Sequence, residues 1–155
     1  MPGLWYEEFH EGQVFEHPVR RTVTEADNTW FSALTMNTQP LHIDHEAAAQ
    51  SEFGRPLVNS IFTLGLMIGI SVGDTTAGTL VGNLGMTDVN FPAPVFHGDT
   101  ISVRTTVTDL RESRSRPTQG LVTFRHQAFN QRGQEVAHCT RVALMHKRPS
   151  TEETA

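Results

Sequence analysis

The most apolar run in the chain, residues 57–74 (LVNSIFTLGLMIGISVGD), has no polar face. Leu57, Val58, Ile61, Phe62, Leu64, Leu66, Met67, Ile68, Ile70 and Val72 fall all around a helical wheel. A helix that is hydrophobic all round belongs in a core or a membrane. A membrane span needs about 20 consecutive apolar residues, whereas Arg55 and Pro56 precede this run, Asp74 ends it, and Asn59, Ser60, Thr63 and Ser71 interrupt it. The pattern therefore predicts a buried central helix. Gly65, Gly69 and Gly73 recur at every fourth position, hence on one face, and each costs about 1 kcal/mol relative to alanine in a helix interior. The expectation is a sheet wrapped around the helix, its backbone close against that glycine face.

Ahead of this run, residues 5–15 mix aromatic and acidic positions and read as a short edge segment, and residues 19–23 read as a strand. Thr24 then precedes EADNTWFSALT, where it can cap a helix whose first turn carries Glu25 and Asp27 toward the positive end of the dipole. Trp30, Phe31, Ala33 and Leu34 supply an apolar side. The next stretch, MNTQPLHIDHEAAAQSEFGRP, is polar and turn-rich, stiffened by Pro40, with a short helix expected where Asp44 can cap HEAAAQ. The Gly54-Arg55-Pro56 turn lets it fold back over the amino end of the central helix.

After the helix, residues 79–91 read as a glycine-containing strand ended by Pro92 and Pro94. Ile101, Val103, Thr105 and Val107 then alternate with polar neighbours at the period of a half-buried strand. A basic loop, RESRSRPTQG, separates this strand from residues 121–130, and a turn at residues 131–133 leads to a last strand at 136–146. The whole is an α+β plan in which an antiparallel sheet wraps one long helix. It forms a single domain over residues 1–148, with an unstructured tail at 149–155.

Composition narrows the function classes. The 155 residues are 37% hydrophobic and 19% charged, enough for one domain with a real core. A formal net charge of -5 and a pI near 5.9 argue against nucleic acid or an anionic membrane as partner. The opening MPGLWYEEFHEG lacks the basic and apolar regions of a secretory leader. The one cysteine, Cys139, excludes an internal disulfide, suits a reducing cytoplasm and is expected as a small buried strand residue.

The segment FSALTMNTQPLHIDHEAA resembles the signature of the MaoC-like, (R)-specific enoyl-CoA hydratases, a hotdog-fold family whose pattern runs aromatic, small, Leu-Ser/Thr, Gly-Asp-x-Asn-Pro-Leu-His-x-Asp. Phe31, Leu34, Thr35, Pro40, Leu41, His42 and Asp44 match it. The resemblance continues through SEFGRPLVNSIFTLGL and FPAPVFHGDTI, and so covers most of the chain. Two positions depart from it: Asn37 stands where the family's catalytic aspartate usually stands, and Gln39 replaces the usual asparagine. MNTQPLHID, NLGM and SRSRP look most like the subgroup that hydrates mesaconyl-, itaconyl- or methylmalyl-type CoA thioesters.

The resemblance implies a hydratase/dehydratase acting at the C2 to C3 double bond of an enoyl-CoA thioester. It needs no metal or redox cofactor, coenzyme A being part of the substrate. His42 suits base and acid, since an imidazole exchanges protons near neutrality and such catalysis is worth about 10² to 10⁴ in rate. Asn37 cannot be a base but can orient water, and Asp44 is either a helix cap or a substitute for the missing acid. The enolate oxygen would meet backbone N–H groups near Asn59 and Ser60, at the positive end of the central helix.

Arg114 and Arg116, in a loop with Arg111, can meet phosphate or carboxylate through their planar forks, or stand solvated. His97 is expected to be a turn residue. The HIDH cluster lacks the three or four convergent donors of a metal site. Two other readings stay open: a hotdog thioesterase, which would want an acid on the central helix, and a non-catalytic acyl-CoA-binding or regulatory protein, kept alive by Asn37. The exposed edge of a hotdog sheet is an association hazard unless paired, and the family resemblance implies a homodimer or a multiple of dimers.

Overall fold

The computed structural model describes residues 3–149; apart from Pro149, the expected unstructured tail lies outside them. A single 3-10 turn (Tyr6–Glu8) and short strands β1 (Val14–Glu16) and β2 (Arg21–Thr22) lead into helices α1 (Glu25–Leu34), α2 (Pro40–Ile43) and α3 (His45–Ala49). The long helix α4 (Ser60–Thr75) follows, then four long strands: β3 (Leu80–Asn90), β4 (Thr100–Glu112), β5 (Gln119–Phe129) and β6 (Glu135–His146). All strand pairs are antiparallel, in the order β1-β4-β5-β6-β3, with β2 also on β4. The sheet curls around α4, as the sequence led one to expect of a hotdog domain.

Residues three and four apart share a helix face, and α4 turns Thr63, Met67, Ile70, Ser71 and Thr75 toward the sheet. Gly65 and Gly69 stand two positions from Met67, about 200° around the helix, and so face away. All three glycines are exposed, and a Cβ added at any of them meets nothing within 4 Å. The expectation of a sheet against the glycine face is therefore corrected: among the described residues of the chain, nothing covers that face.

Alternation along the strands divides the core in two. Ile101 and Val103 belong to one apolar cluster and Val107 to another, with Thr105 between them on the same face of β4. His126 stands likewise between Ala128 and Phe124 on β5, and Arg141 between Cys139 and Ala143 on β6. These three buried residues form a polar seam across the inner face. His17 joins it: its Nδ1 lies 2.9 Å from the Asp74 carboxylate and its Nε2 2.8 Å from Thr105 Oγ1, which lies 2.8 Å from His126 Nδ1.

The Arg141 guanidinium lies over the Phe124 ring, 5.2 Å from its centroid. Among the described residues its Nε and one Nη, and His126 Nε2, have no hydrogen-bond partner. Burial first, then the positive charge of Arg141 and the neighbouring His17, pushes the His126 pKa down to about 3, so this imidazole stays neutral over the physiological range. Cys139 is fully buried on β6.

The helix α1 begins where Thr24 predicts, through reciprocal bonds between Thr24 and Asp27. Its buried side is not the expected one. Asn28 and Ser32 face inward, whereas Trp30 is 69% and Leu34 78% exposed. The reason is specific hydrogen bonding by Asn28, which takes the place of apolar burial.

Candidate active site

The site is assembled where three segments converge on the amino end of α4. Helix α1 ends through Met36, which adopts φ 56, a left-handed conformation that costs a non-glycine residue roughly 1–2 kcal/mol. This turn lets the Met36 N–H reach Ala33 O at 3.1 Å and the Asn37 N–H reach Ser32 O at 2.8 Å, a Schellman-type ending that fixes where Asn37 emerges. The Asn37 Oδ1 accepts from the Gln39 N–H at 3.1 Å, and Pro40, which needs no N–H partner at a first helical position, opens α2.

Helix α2 carries His42. Its Nδ1 lies 2.7 Å from Leu57 O. A carbonyl only accepts, so Nδ1 carries the proton, and in the neutral ring Nε2 keeps a lone pair. Among the described residues no partner occupies that Nε2. The Leu57 N–H bonds back to Leu41 O at 3.0 Å, so the polar loop does fold over the start of α4.

Asn59 caps α4: its Oδ1 accepts from the Ile61 N–H at 3.0 Å, and its own N–H is taken by Asn28 Oδ1 at 2.9 Å. The Asn59 N–H is thus unavailable to a ligand, while the Ser60 N–H, one residue on, has no protein acceptor among the described residues. It points the positive end of the helix dipole at whatever lies there. Asn37 and Asn59 line one small pocket of about 180 Å³ with Phe31, Thr35 and Ile61. A second, of about 190 Å³, lies beside Leu57 and Ser60, walled by Phe53, Phe91, Val95 and Val136 and lined by no charged residue.

Two residues of the polar cluster are otherwise engaged. Asp44 Oδ1 accepts from the Ala47 N–H at 3.0 Å as the cap of α3, and His45 pairs with Glu25 at 2.7 Å. Asn is as good a cap as Asp, so Asp44→Asn should leave both the thermal midpoint and the rate near the parent values. Asp44→Ala should cost about 0.5–2 kcal/mol of stability. A rate loss of about 10² in a folded Asp44→Asn would instead place this carboxylate in the chemistry.

Arg114 and Arg116 line a pocket of about 310 Å³ at the β4–β5 hairpin, with Arg111, Leu84 and Leu144. The 13-residue β4, at about 3.3 Å per residue, puts that hairpin roughly 40 Å from the end of the strand next to His97. Within one chain these arginines do not converge with His42.

Asn28 escaped sequence reasoning. It is fully buried, and its Nδ2 lies 3.0 Å from His42 O, 3.1 Å from Leu57 O and 3.1 Å from His97 Nε2. An asparagine among apolar helix positions was the available signal, since its side chain competes with backbone bonds in a helix interior. His97 is a turn residue that also bonds Asn28. Burial chiefly, then the charges of His45 and Arg55 against the opposing pull of Glu25, holds its pKa below the usual imidazole value.

The family model described as MaoC like domain matches residues 8–128. The chain belongs to the MaoC-like family. This MaoC-like chain is 30% identical to a mesaconyl-CoA hydratase of Cereibacter sphaeroides over 94% of its own length, and spans only 42% of that protein. It is 30% identical to an (R)-specific enoyl-CoA hydratase of Rhodospirillum rubrum, covering 78% of each chain. A solved MaoC-like dehydratase of the same organism superposes with a TM-score of 0.82 at 30% identity, over 96% of this chain and 100% of that one. No helix among the described residues is long and apolar enough to cross a membrane.

Proposed function

We propose that this MaoC-like chain hydrates the C2 to C3 double bond of an enoyl-CoA thioester and catalyses the reverse dehydration. One observation carries the reading: the bond from His42 Nδ1 to Leu57 O leaves Nε2 as the free basic nitrogen, beside a helix start that offers the Ser60 N–H. His42 Nε2 takes a proton from water as its oxygen bonds C3. The electron pair of the double bond moves into the thioester, giving an enolate whose oxygen the Ser60 N–H and the dipole stabilise. The protonated His42 then returns the proton to C2, so that H and OH have added and the histidine is restored. No metal or redox cofactor enters this sequence.

The uncharged pocket beside Leu57 and Ser60 favours a short neutral acyl group. The second carboxylate of a mesaconyl-type substrate would meet no cation of this chain in the lining of that half-open pocket. A thioesterase finds less support, because the acid on α4, Asp74, stands at the far end of the helix, paired with His17. A non-catalytic acyl-CoA-binding role draws support from Asn37, whose oxygen is committed to the Gln39 N–H. Mixing the protein with crotonyl-, mesaconyl- and itaconyl-CoA separates the three. Hydration consumes enoyl absorbance without free thiol, thioesterase activity releases thiol, and binding alone does neither. Crotonyl-CoA is the expected best substrate.

The same reading includes a cytoplasmic homodimer, or a multiple of one. Among the described residues, strand β3 pairs on one side only, with β6, and exposes Val81, Leu84, Met86 and Val89. An edge of this length and polarity calls for a partner, and a second copy supplies a matching one. Sedimentation at micromolar concentration should give twice the chain mass or a multiple; a monomer would reject the pairing.

A further inference from the structure

Asn28 stands outside both pockets, yet each of its hydrogen bonds ends on a segment that frames the site. Its oxygen holds the N–H of Asn59, the residue that caps α4. Its Nδ2 lies within hydrogen-bond distance of the carbonyl of His42 itself and of the Leu57 carbonyl. That second carbonyl also receives the His42 Nδ1 proton. A carbonyl oxygen has two lone pairs and can serve both donors. The amide thus ties the backbone of the base, the acceptor that orients its ring, and the start of the helix that presents the Ser60 N–H.

We propose that Asn28 is a positioning residue of the site, holding the His42 imidazole and the Ser60 N–H in fixed relation without touching the substrate. The assignment rests on the hydratase reading. Only a neutral amide meets the requirement. A carboxylate of the same shape could accept from the Asn59 N–H but would face two carbonyl oxygens without a proton to offer, and an apolar side chain would leave the buried Asn59 N–H unpaired. The capping bonds of Thr24 and Asp27 set the phase of α1 that turns this amide inward. The fourth neighbour, His97 Nε2, lies 3.1 Å from the same nitrogen, whose two protons are shared among the three groups around it. Displacement of a reacting group by about 1 Å can cost roughly 10² in rate, and that is the scale expected when the amide is altered.

The test compares Asn28→Asp, the isosteric change, with Asn28→Ser, which retains a small hydrogen-bonding group. Each is first shown to be folded by circular dichroism. In Asn28→Asp, kcat for crotonyl-CoA should fall by about 10² while KM changes by less than about threefold, because substrate contacts are untouched. Nitrogen-15 spectra of the histidine rings, read without substrate, should show His42 with its proton on Nδ1 in the parent protein. In the variant they should show a mixture of tautomers.

A folded variant with parent kcat and an unchanged His42 spectrum would overturn the proposal. So would a loss of activity matched by a loss of folded protein, with the pH profile and ring spectrum of the remainder intact. Should Asn28→Asp not fold, Asn28→Ser carries the same two readouts. Should the parent protein hydrate no enoyl-CoA, the hydratase reading fails alone, and the ring spectra still decide whether Asn28 sets the tautomer of His42.

Discussion

Replacing His42 by alanine should lower kcat for crotonyl-CoA hydration by about 10² to 10⁴, the range of a lost acid/base group, and leave the fold nearly as stable as before. The ring is only partly buried, so little apolar packing is lost. Its bond partner, Leu57 O, keeps a donor in Asn28, so no buried carbonyl is orphaned. The two readouts therefore separate cleanly: steady-state rates fall while the thermal midpoint barely moves. A folded His42→Ala enzyme working within threefold of the parent would remove His42 from the chemistry. The Asn37→Asp variant is the natural companion, since it restores the residue that the resemblance leads one to expect. A carboxylate beside an imidazole favours its protonated form, so the pH profile is the quantity to compare.

The second large effect is on stability in acid. The His126 pKa is pushed down to about 3 in the folded chain, whereas an unfolded histidine titrates near 6.5. A group whose folded pKa is depressed contributes stability that is complete above the unfolded value and is lost as pH falls toward the folded one. Between about pH 6.5 and pH 3 the unfolded chain takes up a proton that the folded chain refuses, which lowers the unfolding free energy by about 1.4 kcal/mol per pH unit. The whole loss, about 4–5 kcal/mol, is a large part of the roughly 5–15 kcal/mol typical of a domain. Denaturation midpoints measured at pH 7, 5 and 4 should fall accordingly, and His126→Leu should flatten that slope. An equally steep decline in the variant would assign the acid sensitivity to other groups.

Much of the local structure was legible because its causes are local. Thr24 and Asp27 announce the start of α1 by their spacing, Asp44 announces α3, and the alternation at Ile101, Val103, Thr105 and Val107 marks β4. The candidate site was legible only in part. His42 stood out by its place in the matched signature, and the amino end of α4 by its run of apolar residues. Nothing in the pattern distinguished the free Ser60 N–H from the occupied Asn59 N–H, because that difference depends on Asn28, thirty-one residues earlier in the chain. Arg114 and Arg116 looked available for coenzyme A by chemistry, yet the length of β4 carries them away from His42 within one chain.

By itself the sequence determined the kinds of element and their order: hydrophobic periodicity sets helix or strand, and capping and turn residues set where each begins and stops. It also determined the chemistry available, two imidazoles, His42 and His45, in a polar segment before a helix start. Tertiary structure decided which faces meet. Gly65, Gly69 and Gly73 ended on the open side of α4 because the side carrying Met67 and Ile70 buries more apolar surface, and glycine has none to offer the core. Trp30 and Leu34 were left outside because Asn28 makes specific bonds that only an inward-facing amide can make. Thr105, His126 and Arg141 became one polar seam through strand register, which no single strand contains. Periodicity acts over a few residues, whereas the partners of a buried polar group come from wherever the folded chain brings them.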